Sequence, residues 1–273
     1  MEIKNFKGSV VFMEAINKFY LINGKLNEVN NFTEDNKTGS IIYEVLRVIN
    51  GNPAFLVAHI ERMKKSFELI NKKFPFTNEE VISYVNKVIE SNDKVIGNIK
   101  ITYNTVSEEL KVYYIKHSYP SDELYKNGVK TILYYGEREN PNAKIVNSTF
   151  REKVTEEIKK ANAFEAILVD RNGCITEGSK SNIFAIENGK LVTAKGEAVL
   201  KGITREKIIN IAKEIGLKVE EKDIKALEIE KLDAMFISGT SPKILPISFV
   251  DDIKFDVNNK ELRKLMQAYD KLL

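Results

Sequence analysis

Two hydrophobic periods succeed one another along this chain. Short apolar runs broken by Asn-Gly pairs predict strands and tight turns: Phe19–Ile22 runs into Asn23-Gly24, and Ile41–Ile49 into Asn50-Gly51. Phe55-Leu56-Val57 is expected to continue that second hairpin. The period then changes, because Ile60, Met63, Phe67 and Ile70 recur at the spacing of an amphipathic helix. A second helix is expected from Thr77 to Glu90, with Thr77 and Glu80 in the reciprocal capping-box arrangement. Asn98–Tyr103 and Leu110–Ile115 form a further strand pair, and Val129–Tyr135 another strand.

Beyond residue 136 the same vocabulary repeats. A loop from Gly136 to Ala143 precedes a polar helix over Ser148–Lys160. Glu165–Asp170 and Cys174–Thr176 pair across Arg171-Asn172-Gly173; Ile183–Ile186 and Leu191-Val192 pair across Asn188-Gly189. Thr204–Ile215 is an amphipathic helix stopped by Gly216, Met235–Ile237 a buried strand, and Asn259–Tyr269 a last amphipathic helix. Helices and hairpins do not alternate regularly enough for a barrel or a doubly wound sheet, so the expected class is α+β, a mixed α/β chain. Pro120, Ser121 and Asp122 suggest a break. The expected organisation is a smaller domain over residues 1–120, a linker over 121–127 and a larger domain over 128–273.

Composition narrows the chemistry. The 273 residues carry 42 basic and 39 acidic side chains, a balance that gives no sign of a nucleic-acid partner. A single cysteine, Cys174, excludes an internal disulfide and a multi-cysteine zinc site, and two histidines cannot build a metal cluster alone. No secretory signal and no apolar run of membrane-spanning length stands out, so a cytoplasmic protein is expected. Phosphate-loop, dinucleotide, paired-histidine and nucleophile-elbow motifs are all missing. Catalysis therefore falls to lysine, carboxylate, tyrosine or a bound cofactor.

Polar residues cluster at the ends of apolar strands in Asn142-Ala143-Lys144, in Thr176-Glu177-Gly178-Ser179-Lys180-Ser181-Asn182 and in Ser238-Gly239-Thr240-Ser241-Pro242. Lys201-Gly202-Ile203-Thr204-Arg205 opens a helix, whose N-terminal N–H groups suit a phosphate. Together with Phe164–Leu168, Ser181-Asn182-Ile183-Phe184, Tyr43–Val48 and His59-Ile60-Glu61-Arg62, these segments resemble the class IV, fold type IV, pyridoxal-phosphate aminotransferases. That family includes branched-chain aminotransferase, D-amino-acid aminotransferase and aminodeoxychorismate lyase. The resemblance extends from about Tyr20 to Ile247 and implies a two-domain fold.

The resemblance also implies roles. Lys144, 33 residues before Glu177, matches the Schiff-base lysine, which shuttles a proton between substrate and cofactor. Glu177 matches the carboxylate that keeps the pyridine nitrogen protonated, so that the cofactor can act as an electron sink. Arg62 matches the arginine on the cofactor phosphate, joined there by Ile203, Thr204, Thr240 and Ser241. Tyr43 and Arg47 share a strand face with Val45, and the resemblance turns that face toward the substrate. The substrate half departs from the family pattern. Thr149 stands where branched-chain enzymes carry a tyrosine, and no arginine lies between Arg62 and Arg138, leaving Lys100 as the cation on its strand. Arg138 or a partner subunit's residue is then expected to hold the substrate carboxylate. The implied activity is transfer of an amino group from a branched-chain L-amino acid or a D-amino acid to a 2-oxo acid such as 2-oxoglutarate. The alternative is the lyase reaction that releases 4-aminobenzoate and pyruvate. A homodimer is the implied assembly, with no nucleic acid or membrane partner.

Overall fold

The computed structural model describes residues 2–4, 10–12, 14–34, 39–138, 141–144 and 148–273. It resolves into two units. One ends at Ser118 and also takes in Lys144; the other begins at Tyr119 and ends at Leu273.

In the first unit β1 (Glu2–Lys4) pairs with β2 (Val10–Phe12). The main sheet contains β3 (Ala15–Ile22), β4 (Lys25–Glu28), β5 (Ile41–Ile49), β6 (Asn52–Pro53), β7 (Gly97–Asn104) and β8 (Glu109–Ile115). These run antiparallel in the order β4-β3-β8-β7-β5-β6. Helices α1 (Leu56–Glu68) and α2 (Asn78–Ser91) cover one face. Ile42, Leu46 and Val48 of β5 pack there with Ile60, Met63 and Phe67 of α1 and Val81, Val85 and Val88 of α2. Strand alternation then sends Tyr43, Val45 and Arg47 to the other face. The capping box of α2 forms as expected, with Glu80 N donating to Thr77 Oγ1 at 3.2 Å and Thr77 N to Glu80 Oε2 at 2.8 Å.

Phe55-Leu56-Val57 does not continue the hairpin. The short β6 ends at Pro53, which has no N–H to extend a ladder. Phe55 adopts a left-handed conformation (φ 56°), and Leu56 opens the buried helical stripe that Ile60, Met63 and Phe67 continue.

The second unit starts with α3 (Asp122–Asn127), β9 (Val129–Tyr135), α4 (Ser148–Lys160), β10 (Glu165–Val169), β11 (Cys174–Gly178), β12 (Asn182–Glu187) and β13 (Lys190–Thr193). It continues with α5 (Ile203–Glu214), β14 (Val219–Glu221), β15 (Ile224–Lys225), β16 (Ala234–Gly239), β17 (Lys243–Val250), β18 (Ile253–Lys254) and α6 (Lys260–Asp270). One mixed sheet collects these strands, with β9 parallel to both β10 and β17. A parallel pair needs a crossover, and α4 lies in the connection from β9 to β10. Val154 and Phe150 of α4 pack on Ile132, Ala166 and Leu168, while Ile167, Val169, Ile183, Met235 and Leu245 fill a separate core. Burial on both faces explains why β10 is an unbroken apolar run. Residues 121–127, expected as a linker, hold α3, where Arg263 donates to the carbonyls of Tyr125 and Lys126, both at 2.8 Å. Among the described residues no helix is long and apolar enough to cross a membrane.

Candidate active site

In the first unit, Glu44 interrupts the apolar, helix-facing positions of β5 and is fully buried. His59, Arg62 and Ser66 lie three and four residues apart on α1, so they share the face that meets it. Arg62 grips the carboxylate with both arms of its fork, Nε to Oε1 at 2.8 Å and Nη2 to Oε2 at 2.5 Å. His59 Nδ1 lies 2.7 Å from Oε2. Burial alone would raise the Glu44 pKa, but the Arg62 charge and the hydrogen bonds from Arg62 and His59 outweigh it and hold the carboxyl at about 2. Burial lowers the His59 pKa despite the opposing pull of Glu44, so the imidazole stays neutral near pH 7 and Nδ1 donates. Glu44 thereby orients the Arg62 guanidinium.

Lys144 joins this unit through its backbone. Its N–H donates to Ser66 Oγ at 3.3 Å, and its carbonyl accepts from Tyr43 N at 3.1 Å. Ser66 Oγ in turn donates to the Arg62 carbonyl at 3.1 Å. The Lys144 ammonium sits over the Tyr43 ring, 4.9 Å from its centroid. Tyr43, Arg62 and Lys144 are therefore close neighbours, and Arg47 lies on Tyr43's side of the same strand.

In the second unit Glu177 is the penultimate residue of β11 and is buried. Its Oε1 accepts from Arg138 Nη1 at 2.9 Å and its Oε2 from Leu200 N at 3.0 Å. Arg138 also donates from Nη2 to the Ala143 carbonyl at 3.2 Å. Arg138, named from the sequence as a candidate for the substrate carboxylate, thus makes contacts with Glu177 and with the Ala143 carbonyl. The turn after Glu177 is built on another buried carboxylate, Glu165, which accepts from Lys180 N at 2.6 Å and Ser179 Oγ at 3.3 Å. Burial raises the Glu165 pKa against the pull of those donors. Gly178 fits because a Cβ there would lie 2.2 Å from Ser181 Oγ and 2.8 Å from Glu165 Oε1.

Asn182 organises the rest. It pairs with Glu177 on one side and Ser238 on the other, so β11, β12 and β16 end together. Its Nδ2 donates to the Leu200 carbonyl at 2.8 Å, immediately before α5. A Cβ on Gly202 would come within 2.2 Å of Asn182 Oδ1. Gly202 is the N-cap of α5 and supplies no side-chain acceptor to the first-turn N–H groups, while Ile203 and Thr204 follow, both buried. Thr240 and Ser241 occupy the turn from β16 to β17.

In the second unit an uncapped helix start suits a phosphate and a buried carboxylate suits a protonated ring nitrogen; in the first unit, taken by itself, Lys144 offers an amine that suits an aldehyde. Sequence reasoning missed Glu44 and Glu165. The available signal was a charge at a position where the strand otherwise faces inward, since a buried carboxylate requires partners.

Residues 41–250 match the family model for amino-transferase class IV. The D-alanine aminotransferase of Bacillus licheniformis is 28% identical over 249 residues, which cover 85% of this chain and 88% of that protein. The Escherichia coli branched-chain amino acid aminotransferase structure aligns with a TM-score of 0.85 at 21% identity, covering 94% of this chain and 95% of that one. The branched-chain aminotransferase of Thermoproteus uzoniensis, solved with norvaline, aligns with a TM-score of 0.84 at 23% identity, covering 93% and 94%.

Proposed function

This chain belongs to the class IV aminotransferase family, and from that membership we propose that it moves the amino group of an amino acid onto a 2-oxo acid. Pyridoxal 5'-phosphate is the cofactor of the family and, when bound, supplies an electron sink for charge left at the substrate α-carbon. Lys144 would hold the cofactor, and its amine would then serve as the group that carries a proton to and from the substrate. Its backbone is bonded to Ser66 and Tyr43, which helps to position the root of the side chain. Glu177 would keep the ring nitrogen protonated. Candidate phosphate ligands are Arg62 on the first unit and, on the second, the N–H groups of Ile203 and Thr204 and the Thr240-Ser241 turn. Tyr43 and Arg47 face the substrate, a D-amino acid or a branched-chain L-amino acid, with a 2-oxo acid such as 2-oxoglutarate as acceptor. The working form is a cytoplasmic homodimer.

The observation that carries this reading is the Glu177 carboxylate, buried and held through one oxygen by Arg138 and through the other by a backbone N–H. Gripping a phosphate requires no such group. The test offers cofactor-loaded protein the L and D forms of alanine, leucine, valine and glutamate with an oxo-acid acceptor and measures the new oxo acid. Transfer in one stereochemical series is expected. Release of pyruvate and 4-aminobenzoate from aminodeoxychorismate without transfer would replace this reading with the lyase one. No reaction with any of them would refute it.

A further inference from the structure

In the second unit, residues 194–202 link β13 to α5 without forming helix or strand. The far end of this segment carries two contacts of the candidate site. The Leu200 N–H donates to Glu177 Oε2 at 3.0 Å, and the Leu200 carbonyl accepts from Asn182 Nδ2 at 2.8 Å. Gly202 N donates to the same carbonyl at 2.8 Å, and α5 begins at the next residue. A segment with no ladder of its own leaves such groups free to drift unless its ends are tied.

Arg205, in the first turn of α5, reaches back to where the segment starts. Both hydrogens of its Nη2 are used there, one on the Ala194 carbonyl at 2.9 Å and one on Glu221 Oε2 at 2.7 Å. Glu221 Oε2 also accepts from Gly196 N at 3.2 Å. Glu221 stands at that point because β14 runs parallel to β13 and ends opposite Thr193. One side chain thus joins the two ends of the segment. The Arg205 side chain is 7% exposed, and its Nε is buried with no hydrogen-bond partner among the described residues. An unpaired buried donor is a cost, so the fold gains little from this arginine beyond the tie itself.

We propose that Arg205 is a positioning residue: it closes residues 194–202 into a loop, and the closure sets both the Leu200 N–H on Glu177 and the start of α5. This rests on the cofactor reading of Glu177 and of the α5 start, and adds that one closure holds the two. Opening the loop loosens the ring-nitrogen and phosphate contacts together.

The test compares cofactor-loaded, full-length Arg205→Met, Arg205→Lys and Glu221→Ala proteins with wild type. The readouts are the rate of pyridoxal phosphate release, hydrogen exchange of single amides and the urea midpoint. Arg205→Met is expected to speed cofactor release and Leu200 exchange each by about tenfold, the loss of one charge-assisted hydrogen bond, with the β16 amides and the urea midpoint unchanged. The bonds of Arg205 come from one nitrogen, and an ammonium has donors enough for both, so Arg205→Lys should return both rates to within about threefold of wild type. Glu221→Ala, which removes the shared acceptor, should speed both severalfold. Unchanged Leu200 exchange or unchanged cofactor release in Arg205→Met would overturn the inference and leave the proposed function standing. Equal acceleration of all slow amides with a lowered urea midpoint would also overturn it, because Arg205 would then only stabilise the fold. Local loosening in a protein that transfers no amino group would keep the positioning role and overturn the function. A chain that binds no pyridoxal phosphate would refute the function, and Leu200 exchange would still decide the closure. An Arg205→Met chain that does not fold leaves Glu221→Ala to decide, since the Glu221 side chain is 42% exposed: unchanged release and exchange there overturn the inference.

Discussion

Replacing Glu44 with glutamine keeps the side chain's shape and removes its charge. The wild-type carboxyl is held at about 2 against an ordinary value of 4.5. A shift of that size corresponds to about 3 kcal/mol of stability, at about 1.4 kcal/mol per pH unit. Because the folded-state pKa is depressed, that contribution is complete above pH 4.5 and fades as pH falls toward 2. Stranding the buried Arg62 guanidinium gives a similar figure, since breaking a buried pair from one side costs about 3–5 kcal/mol. Glu44→Gln should therefore lose about 3 kcal/mol at pH 7, measured by urea unfolding and by hydrogen exchange of the α1 amides. The gap should close as pH is lowered below 4.5. Removing both partners, as in Glu44→Gln with Arg62→Met, should cost less than the two single changes together. A Glu44→Gln protein within about 0.5 kcal/mol of wild type at pH 7, or one whose deficit is the same at pH 3 and pH 7, would refute the reasoning.

Other changes probe the two units separately. His59 is held below its ordinary value of 6.5, so the folded state resists protonation and stability should begin to fall as pH drops through 6.5; His59→Gln should flatten that part of the urea-stability profile. Glu177→Gln should weaken cofactor binding modestly while slowing substrate α-proton abstraction at least a hundredfold in single-turnover kinetics; equal losses in both would mean that Glu177 serves binding alone. Gly202→Ala drives a methyl toward Asn182 Oδ1, 2.2 Å away, and should weaken cofactor affinity about tenfold by displacing the α5 start, an effect that Asn182→Ala in the same chain should partly relieve.

Much of this architecture was legible in the chain. The two periods located most strands and helices, and the Thr77–Glu80 pair marked the start of α2 because capping chemistry is local. What failed depended on distant partners. β17 was missed because Pro246 stands in its middle, and a proline argues against a strand paired on both sides; yet Pro246 sits opposite Phe236 in that sheet. Phe55-Leu56-Val57 looked like strand because a three-residue apolar run has no period of its own. The roles of Lys144 and Glu177 were suggested by resemblance, but their partners were not. Ser66 and Tyr43 reach Lys144 from far away in sequence, and Arg138 is 39 residues from Glu177. Arg205 stood out only as part of a helix-opening segment; its link to Glu221 depends on the register of β13 and β14.

The central claim is that Lys144 is the amine on which the reaction runs. The most direct measurement loads the protein with pyridoxal phosphate, reduces it with borohydride and maps the modified peptide by mass spectrometry. The account predicts a phosphopyridoxyl group on Lys144, and in Lys144→Ala, cofactor that washes out after reduction with no amino transfer. Stoichiometric modification of another lysine, such as Lys180 or Lys201, with Lys144 untouched would contradict it.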